Sequence, residues 1–333
     1  MFDNQVVLIT GGTGSFGKKF LKRLLTKYNP KKVIVFSRDE YKQVLLQREF
    51  QEYSSKLRFF LGDIRDKERL YRAFDGVDIV VHAAALKQVP LAEYNPFEAV
   101  KTNIIGAQNI INAAIDRGVK KVVALSTDKA VNPINLYGGT KLVMEKLFIA
   151  GNAYVGDKDT IFTVVRYGNV VGSRGSVIPY FLKLAKEGVK EFPITDPRMT
   201  RFWITLDQAV DLVIKALETS VGGEIFVPKI PSMRIVDLAK AIKSDCEFKI
   251  IGIRPGEKLH ETLISEEEGR KTKILDDKTY VILPQFEWKS NLYKKYEDLP
   301  SVGEGFIYRS DKNDWWLTVE ELRELIKNLE IEQ

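Results

Sequence analysis

Short apolar runs alternate with longer amphipathic stretches along the first half of the chain. The runs are rich in Val, Ile, Leu and Phe, and they are continuous, as in residues 33–36, which is typical of strands buried on both faces. They predict strands at residues 6–9, 32–36, 57–61, 78–82, 121–125 and 162–166, with helices near 16–27, 39–50, 97–117 and 138–149. Strands that alternate with helices at this spacing form right-handed βαβ units. The predicted fold class is therefore α/β, with a doubly wound parallel sheet.

The alternation loosens after Tyr167, where Pro, Gly and short strand-like runs become more frequent. Residues 223–228 predict a piece of a small sheet, and residues 236–243 and 319–329 predict helices. We predict one domain at residues 1–170, with later strands returning to its sheet, and a smaller C-terminal lobe at residues 171–333. This lobe is expected to pack against the first domain.

Composition and charge exclude several classes of protein. The 333 residues are 44% hydrophobic, and the formal net charge of +6 comes from scattered residues, which argues against nucleic-acid binding. No apolar run approaches the length of a membrane span, so no membrane partner is expected. The single cysteine, Cys246, cannot form an internal disulfide and suits a reducing cytoplasm. With only two histidines beside it, a metal site is not expected.

A glycine-rich turn follows the first predicted strand and precedes the first predicted helix. It reads TGGTGSFG over residues 10–17. Glycines at these spacings permit a tight turn, let the backbone approach a pyrophosphate, and allow the helix to pack closely on the strand. The N-terminus of the helix offers N–H groups and a positive dipole to the phosphates. The pattern predicts a Rossmann-like dinucleotide site.

The end of the second predicted strand indicates which dinucleotide binds. An acidic residue there would accept a hydrogen bond from the ribose of NAD, whereas a small polar residue followed by Arg accommodates the 2′-phosphate of NADP. Ser37 takes this place, followed by Arg38 and then Lys42, so NADP is favoured. Asp39 could instead serve as the acid. Asp63, after the third strand, is expected either to accept from an adenine amino group or to cap the next helix.

Tyr137 and Lys141 lie four residues apart at the start of a predicted helix, so both face the same side. A lysine there can hold the nicotinamide ribose and lower the pKa of the tyrosine, which would then exchange a proton with a sugar hydroxyl. Thr127, Asp128 and Lys129 follow the preceding strand, at the edge where α/β sheets bind ligands. The alternative is that Asp128 and Lys129 form a solvated loop pair.

Longer motifs resemble a known family of enzymes. They are LITGGTGSFGK, FSRDE, GDIRD, HAAALKQVPLAEYNP, KTNIIGA, ALSTDKAVNPINLYGGTK, VVRYGNVVGSRGSVIP, ITDPRMTRFWIT, GGEIFVPKIPSM and IGIRPGEKLHE, and they end near residue 262. The chain resembles the inverting UDP-N-acetylglucosamine 4,6-dehydratases of pseudaminic-acid synthesis, which belong to the extended short-chain dehydrogenase superfamily. The motifs TDK, RPGEK and RMTRFW are more specific to this family than the others. A related retaining dehydratase carries Glu at the position of Lys129, so the lysine indicates inversion at C5.

The resemblance implies an internal redox cycle with tightly bound NADP that is recycled. Tyr137, poised by Lys141, removes the proton of the 4-hydroxyl while hydride leaves C4 for NADP⁺, and Thr127 hydrogen-bonds the same hydroxyl. Lys129 then takes the C5 proton, Asp128 protonates the departing C6 hydroxyl, and hydride returns to C6. As a base, Lys129 needs a lowered pKa, which Lys141 and oxidised nicotinamide would favour and Asp128 would oppose.

The resemblance also implies which residues bind the ligands. The substrate set contains two arginines, whose forked guanidinium groups suit a diphosphate; it consists of Lys87, Asn169, Thr195, Arg201, Arg254 and Glu257. The cofactor set consists of Gly11, Thr13, Gly14, Ser15, Phe16, Gly17, Ser37, Arg38, Lys42, Asp63, Ile64, Ala83, Lys87, Thr102, Tyr137, Lys141 and Val170. Asn103 is expected to shape the site from behind. Similar proteins associate as homodimers or homohexamers.

Two other functions are compatible with parts of the pattern. A nucleotide-sugar epimerase uses the same fold, cofactor and tyrosine–lysine pair, but needs no acid and base for dehydration, so Asp128 and Lys129 argue against it. A non-catalytic NADP-binding protein would keep the glycine-rich turn without these side chains. The function predicted from the sequence is dehydration of UDP-N-acetylglucosamine.

Overall fold

The computed structural model describes residues 1–172, 177–286 and 293–329; residues 173–176, within one of the motifs, therefore lie outside it. The strands are β1 (Val6–Thr10), β2 (Lys32–Ser37), β3 (Leu57–Leu61), β4 (Ile79–His82), β5 (Lys121–Thr127), β6 (Ile161–Tyr167), β7 (Glu191–Ile194), β8 (Thr200–Phe202), β9 (Ile225–Pro228), β10 (Ser232–Arg234), β11 (Glu247–Ile250), β12 (Thr262–Ile264), β13 (Thr272–Asp276), β14 (Thr279–Ile282) and β15 (Tyr308–Arg309). The first six agree with the predicted strands to within two residues at each end.

The helices cover both faces of the main sheet and build most of the second lobe. They are α1 (Ser15–Lys27), α2 (Glu40–Glu49), α3 (Lys67–Ala73), α4 (Val89–Tyr94), α5 (Pro96–Val100), α6 (Gly106–Arg117), α7 (Leu136–Gly151), α8 (Val177–Lys186), α9 (Leu206–Thr219), α10 (Ile235–Ile242), α11 (Glu266–Gly269) and α12 (Val319–Lys327). Short 3₁₀ turns at Gln51–Lys56, Asp128–Ala130 and Lys294–Tyr296 join some of these elements.

Among the described residues, a nine-stranded sheet forms the main layer, in the order β13-β14-β9-β6-β5-β4-β1-β2-β3. The strands from β9 to β3 pair in parallel, and β14 and β13 add antiparallel strands at one edge. The central strands β1, β2, β4 and β5 are buried along nearly their whole length, because helices pack on both faces. The prediction of a doubly wound α/β fold is confirmed.

The prediction of a small-sheet piece at residues 223–228 is wrong. Ile225–Pro228 forms β9, a fully buried strand of the main sheet that runs parallel to β6 and antiparallel to β14. Its apolar run is short but continuous, as burial on both faces of a strand inside the sheet requires.

The helix predicted at residues 97–117 is interrupted. Between α5 and α6, Lys101–Ile105 forms a π-helical turn. Such turns carry an extra residue and redirect side chains. Here Asn103 is turned inward, where its amide donates to the carbonyl of Leu86 at 2.9 Å and to Oγ1 of Thr140 at 3.0 Å. Asn103 also accepts from the backbone N–H of Leu86 at 2.9 Å, so it braces the loop behind the site, as expected from the sequence.

Among the described residues, the later part of the chain forms three two-stranded sheets, β10 with β8, β11 with β7, and β12 with β15. Leu263, Ile264 and Tyr308 of the third sheet belong to the main core, whereas β7 and β10 contribute to a second apolar core. Its buried side chains include Phe181, Phe192, Trp203 and Leu238. Strands β9, β13 and β14 nevertheless return to the main sheet. The division of the chain near residue 170 stays a prediction.

A buried ion network joins β6 to two helices. Arg166 is 1% exposed and donates to both carboxylate oxygens of Glu145, on α7, at 3.0 and 2.7 Å. It also donates to both oxygens of Glu268, on α11, at 2.8 Å each, and to the carbonyl of Leu263 at 2.9 Å. The guanidinium therefore holds β6 against α7 and α11.

Candidate active site

A cavity of about 850 Å³ lies at the carboxyl ends of β1, β2, β4, β5 and β6. In sheets of this type the crevice where the strand order reverses is the usual ligand site, and the volume lies within the common range of cofactor pockets. Every residue of the cofactor set predicted above lines this cavity. Their role in binding stays a prediction.

The glycine-rich turn has no room for side chains at Gly11 and Gly17. Its backbone can therefore approach the phosphates of a dinucleotide closely. Gly11 has φ of +67°, and a Cβ there would lie 2.9 Å from the backbone of Ala84. A Cβ on Gly17 would lie 2.5 Å from Cα of Gly12, so α1 packs directly on the turn. Gly14 is the N-cap of α1 and provides no side-chain cap. The N-terminus of this helix is thus oriented toward the cavity, as phosphate binding requires.

The end of the cavity next to β2 contains the residues predicted to select NADP. Arg38 lies at the mouth with 53% of its side chain exposed. Asp39 caps α2: it accepts from the backbone N–H of Lys42 at 3.0 Å and pairs with Nζ of Lys42 at 2.9 Å. These bonds occupy the carboxylate that was the alternative partner for a ribose. Ser37 is buried, and its hydroxyl accepts from Nε2 of Gln43 at 3.1 Å.

Asp63 lines the cavity but does not cap the next helix. That cap is Asp66, which accepts from the backbone N–H of Arg69 at 2.9 Å. Asp63 accepts instead from the backbone of Arg65 at 2.9 Å and from Nη2 of Arg65 at 2.7 Å. The helix-cap alternative for Asp63 is therefore wrong, and its contact with adenine stays a prediction.

Two buried hydroxyls in the cavity wall have no hydrogen-bond partner within the described structure. They are Oγ1 of Thr102, on the π-helical turn, and Oγ of Ser126, near the end of β5. Unpartnered buried hydroxyls are uncommon and need an explanation, and a bound polar ligand provides one. His82 lies deeper, where Nδ1 pairs with Oγ1 of Thr10 at 2.8 Å and the ring stacks on Phe148. Burial lowers the pKa of His82 to about 3, so it is a neutral packing group.

Thr127, Asp128 and Lys129 form a compact group at the end of β5. Oδ1 of Asp128 accepts from Oγ1 of Thr127 at 2.9 Å and from Nζ of Lys129 at 3.0 Å. Nζ of Lys129 also donates to Oδ1 of Asn169 at 3.1 Å. Asp128 is 1% exposed, so the two charges are not a solvated loop pair. Thr127 and Lys129 line the cavity, whereas Asp128 lies directly behind them.

The charge balance at Lys129 differs from the one that a base needs. Burial lowers the pKa of its ammonium, but the negative charges of Asp128 and Glu261 outweigh burial and hold the pKa above its ordinary value. Lys129 is therefore protonated at neutral pH. The sequence left the balance between raising and lowering charges open, and a second carboxylate that it did not reveal, Glu261, lies 3.6 Å from Nζ.

Tyr137 and Lys141 both line the cavity from the first turns of α7, and no hydrogen bond joins them within the described structure. Burial raises the pKa of Tyr137 to about 12, and the positive charge of Lys129 and a hydrogen bond with Thr127 offset this only in part. Nζ of Lys141 donates to the carbonyl of Leu125 at 2.6 Å. Burial lowers the pKa of Lys141 to about 8. The expected lowering of the tyrosine pKa is thus absent, since the lysine is held toward β5.

A second cavity of about 550 Å³ adjoins the first and shares Asn169 and Val170 with it. It contains the rest of the predicted substrate set: Thr195, Arg201, Arg254 and Glu257. Arg201 is 7% exposed and donates to the carbonyls of Thr200 at 2.8 Å and Leu259 at 3.2 Å. The predicted substrate set is thus divided between neighbouring cavities, with Lys87 along the first and Asn169 in the wall of both.

Sequence reasoning did not select Ser126 or Glu261. Ser126 precedes the TDK motif, and its place near the end of a predicted strand could have suggested a side chain in the cavity. Glu261 is the last residue of the RPGEKLHE motif, but nothing in the local pattern shows that it returns to Lys129. Only the tertiary fold brings Glu261 close to Lys129.

Adjacent glycines at the start of α7 give a direct test of how tightly the site is packed. A Cβ on Gly138 would lie 2.2 Å from the carbonyl oxygen of Lys129, whereas a Cβ on Gly139 meets nothing within 4 Å. We expect Gly138→Ala to displace Lys129 and lower activity at least about 10-fold, as small misplacements of reacting groups do. We expect Gly139→Ala to raise the free energy of unfolding by about 0.5–1 kcal/mol. Urea unfolding and initial rates measure both; equal behaviour of the two variants would contradict this packing.

Neither a cluster of metal ligands nor a membrane-spanning helix occurs among the residues that the structure describes. In residues 1–172, 177–286 and 293–329, no three His, Cys, Asp or Glu side chains gather closely enough to hold a metal ion. The helices in these ranges are all too short or too polar to cross a membrane.

Comparison with known proteins identifies the family. The family of polysaccharide biosynthesis proteins matches residues 7–283 of this chain.

The chain belongs to the polysaccharide biosynthesis protein family.

Relatives of this polysaccharide biosynthesis protein are similar over nearly its whole length. An inverting UDP-N-acetylglucosamine 4,6-dehydratase of Campylobacter jejuni is 53% identical over 99% of both chains. A UDP-glucose 4-epimerase of Rickettsia massiliae is 44% identical, over 100% of this chain and 98% of its own. The X-ray structure of Pen from Bacillus thuringiensis is 42% identical, with a TM-score of 0.87, and the match covers 98% of this chain and 99% of that one. The similarity thus extends well beyond residue 262, where the recognised motifs end.

Proposed function

We propose that this chain dehydrates UDP-N-acetylglucosamine to a UDP-2-acetamido-2,6-dideoxy-hexos-4-ulose with inversion at C5, as a hydro-lyase that uses NADP. The observation that carries the proposal is the hydrogen-bonded group of Thr127, Asp128 and Lys129 beside Tyr137, in the cavity wall next to a second, arginine-lined cavity. The similarity to the inverting dehydratase supports the same reaction. An epimerase shares Tyr137 and Lys141 but has no need for an acid and a base at C5 and C6.

The large cavity suits NADP, which when bound supplies a hydride acceptor for C4 of the sugar and a hydride donor for C6. Gly11, Gly14 and the N-terminus of α1 would hold the pyrophosphate. Arg38 would hold the 2′-phosphate by charge-assisted hydrogen bonds. The unpartnered hydroxyls of Thr102 and Ser126 are the polar groups available in the deeper part of the cavity.

Tyr137 is proposed to accept the proton of the 4-hydroxyl. Burial raises its pKa, and the positive charge of Lys129 and the hydrogen bond with Thr127 lower it only in part. A further positive charge close to the phenol is therefore needed to make it an effective base. Lys141 follows Tyr137 by one helical turn on α7, so its ammonium can provide this charge once it leaves the carbonyl of Leu125 for the ribose.

Lys129 and Asp128 are proposed to carry out the loss of water. Lys129 faces the cavity and donates a hydrogen bond to Asn169, in the wall that the two cavities share. As an amine, Lys129 would remove the C5 proton, which the 4-ketone has made acidic. The Lys129 ammonium so formed would give a proton to Asp128 along their 3.0 Å hydrogen bond, and Asp128 would pass a proton through the hydroxyl of Thr127 to the C6 oxygen, which departs as water.

The smaller cavity is proposed to bind the UDP diphosphate. Arg201 and Arg254 supply the forked donors that suit phosphate oxygens. Lys87, Asn169 and Thr195 complete the proposed sugar-nucleotide site, with Glu257 pairing to Arg201 at 3.4 Å. The sugar then extends toward Asn169 and Lys129, where the two cavities meet.

Proton NMR of the purified chain with UDP-N-acetylglucosamine in deuterated water tests this function. We expect a new C6 methyl signal, deuterium at C5 and ring couplings of the inverted sugar. Methyl formation with retained C5 configuration would contradict the role of Lys129. A C4 epimer without a methyl signal would favour the epimerase, and no reaction even with added NADP⁺ would contradict the proposed substrate.

Cofactor preference is tested by replacing Arg38. We expect Arg38→Ala to weaken NADP binding about 10- to 100-fold, since a hydrogen bond to a charged group contributes roughly 1.5–3 kcal/mol. NAD binding should change little, because NAD has no 2′-phosphate. Titration of cofactor-free protein with each dinucleotide measures this, and Arg48→Ala, on an exposed position of α2, is the control. Equal losses for both dinucleotides would contradict the assignment.

A further inference from the structure

Glu261 is a buried carboxylate next to the proposed catalytic residues. It immediately precedes β12 and is 2% exposed. Its Oε1 lies 3.6 Å from Nζ of Lys129 and 3.7 Å from Nε of Arg201. Its Oε2 is buried and accepts no hydrogen bond within the described structure. An incompletely paired buried carboxylate is costly to keep, so its position between two cations indicates a function.

The backbone holds this carboxylate in place. The N–H of Glu261 donates to Oγ of Ser310 at 3.0 Å, and the N–H of Ser310 donates to the carbonyl of Glu261 at 2.8 Å. The Ser310 hydroxyl in turn hydrogen-bonds Oγ1 of Thr200 at 2.6 Å, one residue before Arg201. The carboxylate and its arginine partner are thus fixed by one network, and Lys129 approaches them from β5.

A single oxygen of Glu261 connects the two cavities. Lys129 lines the large cavity and Arg201 lines the smaller one. The other charged groups that face this position are Asp128 from the end of β5 and Lys258 from the loop before β12, and Glu257 lies on the far side of Arg201. The lysine proposed to act at C5 and the arginine proposed to bind the diphosphate therefore share one counter-charge.

We propose that Glu261 accepts the proton of Lys129, and that diphosphate binding to Arg201 prepares it to do so; this inference rests on the proposed function. Once Nζ of Lys129 and Oε1 of Glu261 approach from 3.6 Å to hydrogen-bond distance in the substrate complex, the proton passes from the nitrogen to the oxygen, which leaves a neutral amine and a neutral carboxyl group. The N–H bond breaks as the O–H bond forms, and no other reactant is needed.

The coupling to substrate follows from the shared oxygen. When the diphosphate takes up the charge of Arg201, Glu261 loses one of its two counter-charges and becomes a better proton acceptor. The freed amine of Lys129 then removes the C5 proton. Glu261 acts through Lys129 and is a positioning residue that does not touch the sugar.

If Glu261 acted only as a counter-charge to the Lys129 ammonium, its removal would change the elimination rate in the opposite direction from the one expected for a proton acceptor. A carboxylate that only attracts the ammonium keeps Lys129 protonated, so its removal would speed elimination or leave it unchanged. A carboxylate that accepts the proton leaves Lys129 protonated when it is removed, so elimination would slow. The sign of the change in elimination rate separates the two roles.

The test compares Glu261→Gln with wild type and with Glu266→Gln, an exposed control on α11. Each protein, loaded with NADP⁺, is mixed with UDP-N-acetylglucosamine in deuterated buffer across a range of pH. We expect Glu261→Gln to reduce the cofactor at the wild-type rate but to form the C5-deuterated methyl product about 10²- to 10³-fold more slowly. Its elimination rate should rise more steeply with pH than that of wild type, because Lys129 must lose its proton to solvent. KM should change less than about twofold.

Each outcome decides the inference. Wild-type or faster elimination in Glu261→Gln, or an unaltered pH profile, would overturn the role of Glu261 while leaving the dehydratase function intact. Absence of methyl product with wild type would overturn the proposed function itself, and this inference with it. If Glu261→Gln fails to fold by circular dichroism, Glu261→Asp decides: we expect it to keep part of the elimination rate with the wild-type pH profile. A folded Asp variant that lost elimination as completely as Lys129→Met would overturn the inference.

Discussion

Replacing Lys129 with methionine is expected to lower the rate of dehydration about 10³-fold or more. Methionine is close to lysine in length but cannot accept a proton, so the C5 proton of the 4-keto intermediate has no base, and general bases contribute roughly 10²- to 10⁴-fold. Oxidation at C4 depends on Tyr137 and Lys141 and should continue. The substitution therefore separates the first step of the reaction from the second.

Single-turnover mixing of Lys129→Met with UDP-N-acetylglucosamine measures both steps. The absorbance of reduced nicotinamide should appear and persist, and the C6 methyl signal should be missing. Lys146→Met, on the exposed side of the same helix as Tyr137, is the matched control and should behave as wild type. Methyl product at the wild-type rate from Lys129→Met would show that another residue removes the C5 proton.

Replacing Arg166 with methionine is expected to lower the free energy of unfolding by about 3–5 kcal/mol. Two carboxylates, Glu145 and Glu268, would then lie in the interior without their cation, and an uncompensated buried charge carries a cost of this size. The loss should also reach the site, since Glu145 follows Lys141 by one turn on α7 and contributes to its charge balance.

Urea unfolding of Arg166→Met measures this effect as a lower midpoint with an unchanged slope. Arg198→Met is the control, because Arg198 pairs with Asp196 on the surface with 72% of its side chain exposed, and we expect no change in the midpoint. A shift in Arg166→Met no larger than in this control would contradict the structural role of the network.

The sequence predicts the first six strands and the residues around the cofactor cavity well, because both depend on local patterns. Apolar runs of strand length and a glycine-rich turn are recognised from a few neighbouring residues. The π-helical turn at Lys101–Ile105 has no such signal: its periodicity differs from that of an α-helix by a single residue. Strand β9 was assigned to a small sheet, because its partners β6 and β14 come from distant parts of the chain.

Protonation states were the part of the site that the sequence could not predict. The pKa of Lys129 is raised by its neighbour Asp128 and, in addition, by Glu261, a charge that only the tertiary structure places nearby. Lys141 was expected to lower the pKa of Tyr137, since both lie on one face of α7, yet its ammonium donates to the carbonyl of Leu125. Spacing along a helix fixes which side chains share a face, but burial and neighbours decide which bonds they make.

The return of β9, β14 and β13 to the main sheet has a consequence for biosynthesis. Until β9 leaves the ribosome, β6 is an edge strand with unpaired backbone groups, and β9 is then the edge until β14 pairs with it. Exposed edges of this kind are prone to aggregation. The nascent chain must therefore be protected until residue 282 has emerged, and a fragment that ends at residue 170 should aggregate on expression rather than fold into a stable cofactor-binding domain.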